Sequence, residues 1–373
     1  MVYRRFVEPA RPPRRPTAYT GAMVNDLAPV TTEQLNQLPK AHLHLHFTGS
    51  LTVAKLQEMA QARNVRLPRV LMRHDPMRLS PDRRGWFRFQ RLYDSARTVV
   101  QGEDALRAVV ANAATLDRAE GVRWLELQVD PTGYAAKMGG ITPALEVVLD
   151  EARNQSDDTF GVAIIVATSR MKHPLDARTL ARLATRHAGN GPGSVVGFGL
   201  SNDERSGDTA SFARAFEIAR NAGLASFPHG GELLGPEHIR TTLGALNPTR
   251  LGHGVRAAED PQLLDTIVSR GVGFEVCPSS NASLGVYPTA EDVPLRTLVR
   301  AGAKVALGAD DPLIFGPRIT EQYAIAHRMG FTTSELAQLA RDSFTISTAP
   351  RHVVTRAHAD IDAWEARVTG QGQ

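Results

Sequence analysis

Eight short apolar or β-branched runs alternate with amphipathic helical stretches along this chain, and no other feature restricts its fold as strongly. The runs fall at 41–47, 122–129, 161–168, 195–200, 223–228, 250–253, 272–276 and 303–307. Helical patterning fills the intervals at 103–119, 143–153, 176–186, 209–222, 261–269 and 295–301. Strands separated by helices pair in parallel, and eight of them predict an α/β fold of the (β/α)8 TIM-barrel type rather than a doubly wound open sheet. Segment 53–100 is longer than one crossover requires. It is expected to form extra cap helices after strand 1, beside the barrel mouth, with Trp86, Phe87, Phe89 and Tyr93 as an apolar face.

In such barrels the chemistry sits where strands finish. The first run reads Ala41-His42-Leu43-His44-Leu45-His46-Phe47-Thr48-Gly49, and side chains two apart on a strand share a face. His44 and His46 therefore offer two imidazoles in one direction, half of a metal site. The other strand ends run into Ser201-Asn202-Asp203-Glu204, His229-Gly230-Gly231-Glu232, Gly252-His253-Gly254, Glu275-Val276-Cys277-Pro278-Ser279-Ser280-Asn281 and Gly308-Ala309-Asp310-Asp311-Pro312. A single cluster of this kind is compatible with a structural role. Their common position at one rim favours a metal-dependent site.

Charge and composition narrow the setting. The net charge of +4 resides in an N-terminal arm, where Arg4, Arg5, Arg11, Arg14 and Arg15 face only Glu8, so the remainder is near neutral. That distribution argues against a nucleic-acid surface. Residues 1–29 are expected to be a disordered Arg/Pro-rich arm and residues 30–373 one domain, opening on the helix-start signal Thr31-Thr32-Glu33-Gln34. No apolar run approaches the roughly 18 residues that span a bilayer, so no membrane partner is expected. Cys277 is the sole cysteine, which excludes an internal disulfide and a Cys-x-x-Cys metal clamp and fits a cytoplasmic compartment.

The motifs Pro39-Lys40-Ala41-His42-Leu43-His44-Leu45-His46, His229-Gly230-Gly231-Glu232, Gly252-His253-Gly254, Cys277-Pro278-Ser279-Ser280-Asn281 and Asp310-Asp311-Pro312, in this order, resemble the adenosine deaminase family of the amidohydrolase superfamily. The resemblance implies one zinc ion per chain held by His44, His46, His229 and Asp310. It further implies hydrolytic removal of the 6-amino group of an adenine nucleoside, with Glu232 as proton donor to ring N1. His253 would orient the attacking water, and Asp311 would contact N7. Substrate contacts are expected from His46, Thr48, Asn202, Gly231 and Asp311. His42 stands where the family usually has Glu, one pair deeper on the strand, and is expected to face the barrel interior without binding metal.

Departures from the family pattern bear on the substrate. Thr48 replaces an Asp that contacts the ribose 5′-hydroxyl, Asn202 replaces a Gly whose backbone approaches N3, and Ala309 replaces Thr or Ser. The first reading is adenosine or 2′-deoxyadenosine, giving inosine or 2′-deoxyinosine plus ammonia. The absence of a charge at Thr48 raises the alternative of a 5′-modified adenosine such as aminodeoxyfutalosine or 5′-methylthioadenosine. Free adenine and a nucleoside-antibiotic precursor are further adenine-type candidates. A non-catalytic nucleoside-binding protein would be expected to have lost a ligand or Glu232, and both are kept. The small-molecule partner is thus a purine nucleoside, and the sequence is compatible with a homo-oligomer.

Overall fold

A computed structural model describes residues 29–72 and 77–370. The arm expected over residues 1–29 falls almost entirely outside the described residues. The predicted barrel is present: eight parallel strands lie in the order β1 to β8, each paired with its sequence neighbour. They are β1 (Lys40–His46), β2 (Val122–Val129), β3 (Gly161–Ser169), β4 (Val195–Ser201), β5 (Ala225–Gly230), β6 (Arg250–His253), β7 (Gly273–Val276) and β8 (Val305–Leu307). Intervening helices bury one stripe each. Helix Glu103–Ala119, for example, buries Leu106, Val109, Val110 and Ala113, the spacing of one helical face. The expected helix 209–222 divides into a 3-10 turn, Thr209–Phe212, and an α-helix, Ala213–Asn221.

The barrel closes through Asp310. Its N–H donates to the His44 carbonyl at 3.0 Å, and the His46 N–H donates to the Asp310 carbonyl at 3.0 Å. The stitch that joins the last strand to the first therefore sets Asp310 between His44 and His46 of β1.

A bulge in β1 corrects the expectation for His42. His42 pairs with Leu125 and Leu45 with Leu127, so β1 uses three steps where β2 uses two. The extra residue shifts the alternation by one. His44 and His46 then face the lumen, whereas His42 faces the surrounding helices. Its Nδ1 lies 2.7 Å from an Asp117 carboxylate oxygen on helix Glu103–Ala119, and its Nε2 accepts from the Ala309 N–H at 3.1 Å.

The base of the barrel holds a buried charge network. Arg250 on β6 donates to Glu275 on β7 at 2.6 Å and to Glu126 on β2 at 2.5 Å, with its guanidinium 3.6 Å from the Phe227 ring centroid. Glu126 also accepts from the Thr348 N–H and the Trp124 indole N–H, at 2.7 and 3.0 Å. Glu275 continues upward to His44 Nδ1 at 2.7 Å.

The cap expected over 53–100 consists mainly of helices Val53–Ala62 and Arg83–Arg97. In the second, Trp86, Phe89 and Tyr93 follow helical spacing and turn toward the mouth, with Phe89 stacked on Phe315 at 5.2 Å. Phe87 does not belong to that face. One residue beyond Trp86 is rotated by about 100° on a helix of 3.6 residues per turn, and Phe87 is 62% exposed.

Candidate metal centre and catalytic pocket

Four strand ends bring imidazoles and a carboxylate together. His46 Nε2 lies 3.2 Å from Asp310 Oδ1, His44 Nε2 3.6 Å from the same oxygen, and His229 Nε2 3.3 Å from His46 Nε2. His253 stands against the same cluster, its ring centroid 4.7 Å from that of His44 and 5.2 Å from that of His229. Small residues permit the crowding. A Cβ on Gly252 would lie 3.0 Å from His229 Nδ1 and 3.1 Å from His44 Cε1, and one on Gly49 would lie 1.7 Å from Asp311 Oδ1.

Backbone strain collects here. Asn202, His253 and Asp310 have φ values of +82°, +62° and +61°, a region that side-chain-bearing residues seldom adopt. All three stand just past or at the end of a barrel strand, where the chain must turn to present a group to the cavity.

The donor set suits a divalent cation. His44 Nε2 is buried without a hydrogen-bond partner among the described residues, and two imidazole nitrogens of His46 and His229 face one another at hydrogen-bond distance. Imidazole nitrogens with one carboxylate are a sensible zinc set. His44 is oriented from behind by Glu275, the kind of support that fixes the tautomer of a metal-binding histidine. Burial would lower the His44 pKa, but the neighbouring Asp310 and Glu275 carboxylates push it up to about 10. A cation binding at Nε2 takes the place of that proton.

The acid–base groups diverge in the same small volume. Burial, reinforced by Asp310 and Glu204, pushes the Glu232 carboxyl well above its ordinary range. Asp311 is raised in the same way, by burial and then by Asp310. Asp310 itself is held well below the usual range: burial opposes ionisation, but the imidazoles of His44 and His46 beside it outweigh that. His253 is lowered to about 3 by burial and the neighbouring His44, and its Nε2 lies 3.5 Å from Glu232 Oε1. The pocket therefore pairs one carboxyl whose pKa is pushed down with two whose pKa values are pushed up, the separation expected of acid–base chemistry.

These groups line one cavity at the barrel mouth. His46, Asn202, His229, Glu232, His253, Asp310 and Asp311 reach it. Thr48 does not. It is fully buried, with its hydroxyl 2.7 Å from that of Tyr134, and Tyr134 rather than Thr48 faces the cavity. Gly231 also lies behind the lining. Its positive φ of +85° and the close approach of Ile239 suit glycine at the turn that delivers Glu232. Asn202 accepts from the Trp86 indole N–H at 3.3 Å and donates to Gln90 at 3.2 Å, so it ties the cap to the end of β4.

Some supporting residues had no assigned role in the sequence. Glu204 accepts the backbone N–H groups of Glu232, Leu233 and Leu234 at 3.1, 2.8 and 2.8 Å and so fixes the Glu232 turn. Arg170 holds the His229 carbonyl at 2.7 Å. Glu204 carried a signal, as part of the rim motif after β4. So did Glu275, which opens the rim run after β7, whereas Arg250 and Gln128 showed only as polar residues inside otherwise apolar strands.

The adenosine deaminase family model matches residues 39–364. A protein of Streptomyces virginiae, which carries the provisional name adenosine/adenine deaminase, is 55% identical over 333 residues, 88% of this chain and 97% of that protein. Among solved structures, the adenine deaminase of Arthrobacter aurescens superposes with a TM-score of 0.78 at 25% identity, covering 87% of this chain and 98% of that one. An amidohydrolase of Burkholderia ambifaria with bound zinc shares the fold, with a TM-score of 0.79 at 20% identity over 92% of this chain and 96% of that one.

Proposed function

The chain belongs to the adenosine deaminase family, and from that premise we propose that it hydrolyses the 6-amino group of an adenine nucleoside, adenosine or 2′-deoxyadenosine, to the 6-oxo product and ammonia. The observation that carries this reading is geometric: the buried Glu232 carboxyl lines the same cavity as the cluster of His44, His46, His229 and Asp310 side chains. We assign those four side chains to one zinc ion per chain. When bound, zinc supplies Lewis acidity and water of lowered pKa, from about 15.7 toward about 7.

Around that centre the chain's own residues do the following. Glu232 donates its proton to ring N1, which leaves C6 electron-poor and open to water; positioned general acids of this kind contribute about 10²–10⁴-fold. His253, neutral and aimed at the same corner, orients the water that adds to C6 and steadies the charge gathering on its oxygen. Asp311, whose pKa burial pushes up, is assigned to N7, an acceptor that pairs with the protonated carboxyl. Of the water's two protons, one leaves on the amino group as ammonia and the other returns to Glu232, while N1 keeps the proton it received and C6 keeps the oxygen.

The 5′-modified alternatives rested on Thr48. With Thr48 behind Tyr134, that residue no longer supports them. The reading is tested by ammonia release and loss of adenine-ring absorbance with zinc-loaded protein and adenosine, 2′-deoxyadenosine, 5′-methylthioadenosine and adenine. Adenosine and 2′-deoxyadenosine should be the best substrates. Release of no ammonia from any of the four would overturn the deaminase mechanism, and strong preference for the methylthio compound would overturn the substrate.

A further inference from the structure

We infer that Gln128 is a specificity residue that hydrogen-bonds a sugar hydroxyl of the substrate, an assignment that rests on the nucleoside reading above. Gln128 is 2% exposed and lines the catalytic cavity, yet both Oε1 and Nε2 lack a hydrogen-bond partner among the described residues. A buried carboxamide left wholly unpaired is costly, so a group at this position that can both donate and accept stabilises it.

The surroundings supply no such group. Gln128 pairs with His46 across β1 and β2, and its polar neighbours in that corner are already engaged. The Tyr134 hydroxyl meets Thr48 at 2.7 Å, and Asp130 is held by Lys172 at 2.7 Å. Gln128 is thus the polar side chain of that corner left for a ligand.

Place in the barrel says which part of the ligand arrives there. The strands run in order around the barrel, so β2 stands opposite β6 and its His253. With C6 and N1 of the ring held at Glu232 and His253, what extends toward β2 is the far side of the purine, N9 and its substituent. A ribose hydroxyl donates and accepts at once, the complement of a carboxamide. A thioether or a methyl group at the same place does neither.

The test compares the wild-type enzyme with Gln128→Met, a change that keeps side-chain length and removes both polar atoms. Each is assayed on adenosine, on its 2′-, 3′- and 5′-deoxy analogues, and on adenine. In the wild type, loss of the 3′- or the 5′-hydroxyl should lower kcat/KM by about 10–100-fold, mainly through KM, the range for leaving a buried polar group unpaired, while loss of the 2′-hydroxyl should not. Gln128→Met should lower adenosine to the level of that analogue and leave the analogue itself within about twofold, because the two changes remove one interaction. A wild type insensitive to every deoxy change overturns the proposal without need of the variant. So does a variant that loses activity equally on all nucleosides. A wild type that turns over adenine alone, with that activity lost in Gln128→Met, shows the amide reading N9–H instead and overturns the nucleoside reading too. If nucleosides are turned over and Gln128→Met is silent, only the Gln128 assignment fails.

Discussion

The base and the mouth of this barrel treat buried polar groups in opposite ways. At the base, Arg250 is flanked by Glu126 and Glu275, and both of its nitrogens toward them are engaged within 2.6 Å. Lys40 is buried near the same end and donates to the Leu35 carbonyl at 2.8 Å and to the Glu120 carbonyl, with its pKa lowered to about 7 by burial. At the mouth, His44 Nε2, His229 Nδ1, Asp311 Oδ1, Asn281 Oδ1 and the Gln128 amide are buried without partners among the described residues. Three of the five non-glycine residues with positive φ among the described residues, Asn202, His253 and Asp310, stand at the mouth. A protein interior satisfies its polar groups unless something else is to satisfy them. The base is built for the chain itself, and the mouth is built for what binds there. Glu275 touches both, holding Arg250 with one oxygen and His44 with the other.

Substitutions can break this contrast or sharpen it. The largest effect should come from Glu232→Gln, which keeps the shape of the side chain and removes the proton. We expect kcat to fall by about 10²–10⁴-fold, with zinc content and melting temperature unchanged. Unaltered turnover would remove Glu232 from the chemistry. Arg250→Met should act in the other currency, stability. It strands the Glu126 and Glu275 carboxylates in the interior, and breaking a buried pair in this way costs about 3–5 kcal/mol. Urea unfolding should show that loss, and a midpoint within error of wild type would mean that the base network is dispensable. The smallest effect should come from Phe87→Ser on the outer face of the cap, within about 0.5 kcal/mol of wild type. Trp86→Ser, one residue away, should raise KM through loss of the Asn202 contact and of cavity lining. Equal behaviour of the two would contradict the inward and outward assignment.

Most of the architecture was legible in the sequence because it follows from periodicity and punctuation. The runs at 122–129 and 250–253 coincide with β2 and β6, and helices Glu103–Ala119 and Pro261–Ser269 match their expected bounds. Thr31 and Gln34 form the capping box that their spacing announces. His44, His46, His229, His253 and Asp310 lie together at the rim, since strand ends of a closed barrel share one face, whereas Thr48 and Gly231 lie behind the cavity lining.

What escaped has physical causes. The bulge in β1 is one extra residue with no side-chain signature, and it turned His42 outward to Asp117. Phe87 obeys hydrophobicity in sequence but not helical angle, because counting aromatics ignores the rotation between neighbours. Thr48 sits at a family substrate position, yet its hydroxyl is bound by Tyr134, a residue 86 positions along the chain. Gln128 and Glu275 act through partners on other strands, and such pairings are fixed only when the barrel closes.

The most direct test of the central claim is a zinc titration of chelator-stripped protein, with ammonia release from adenosine as the readout. Activity should rise linearly from near zero and level off at one zinc per chain. Full activity in the stripped protein, or a rise that continues past one equivalent, would contradict a single catalytic zinc held by His44, His46, His229 and Asp310.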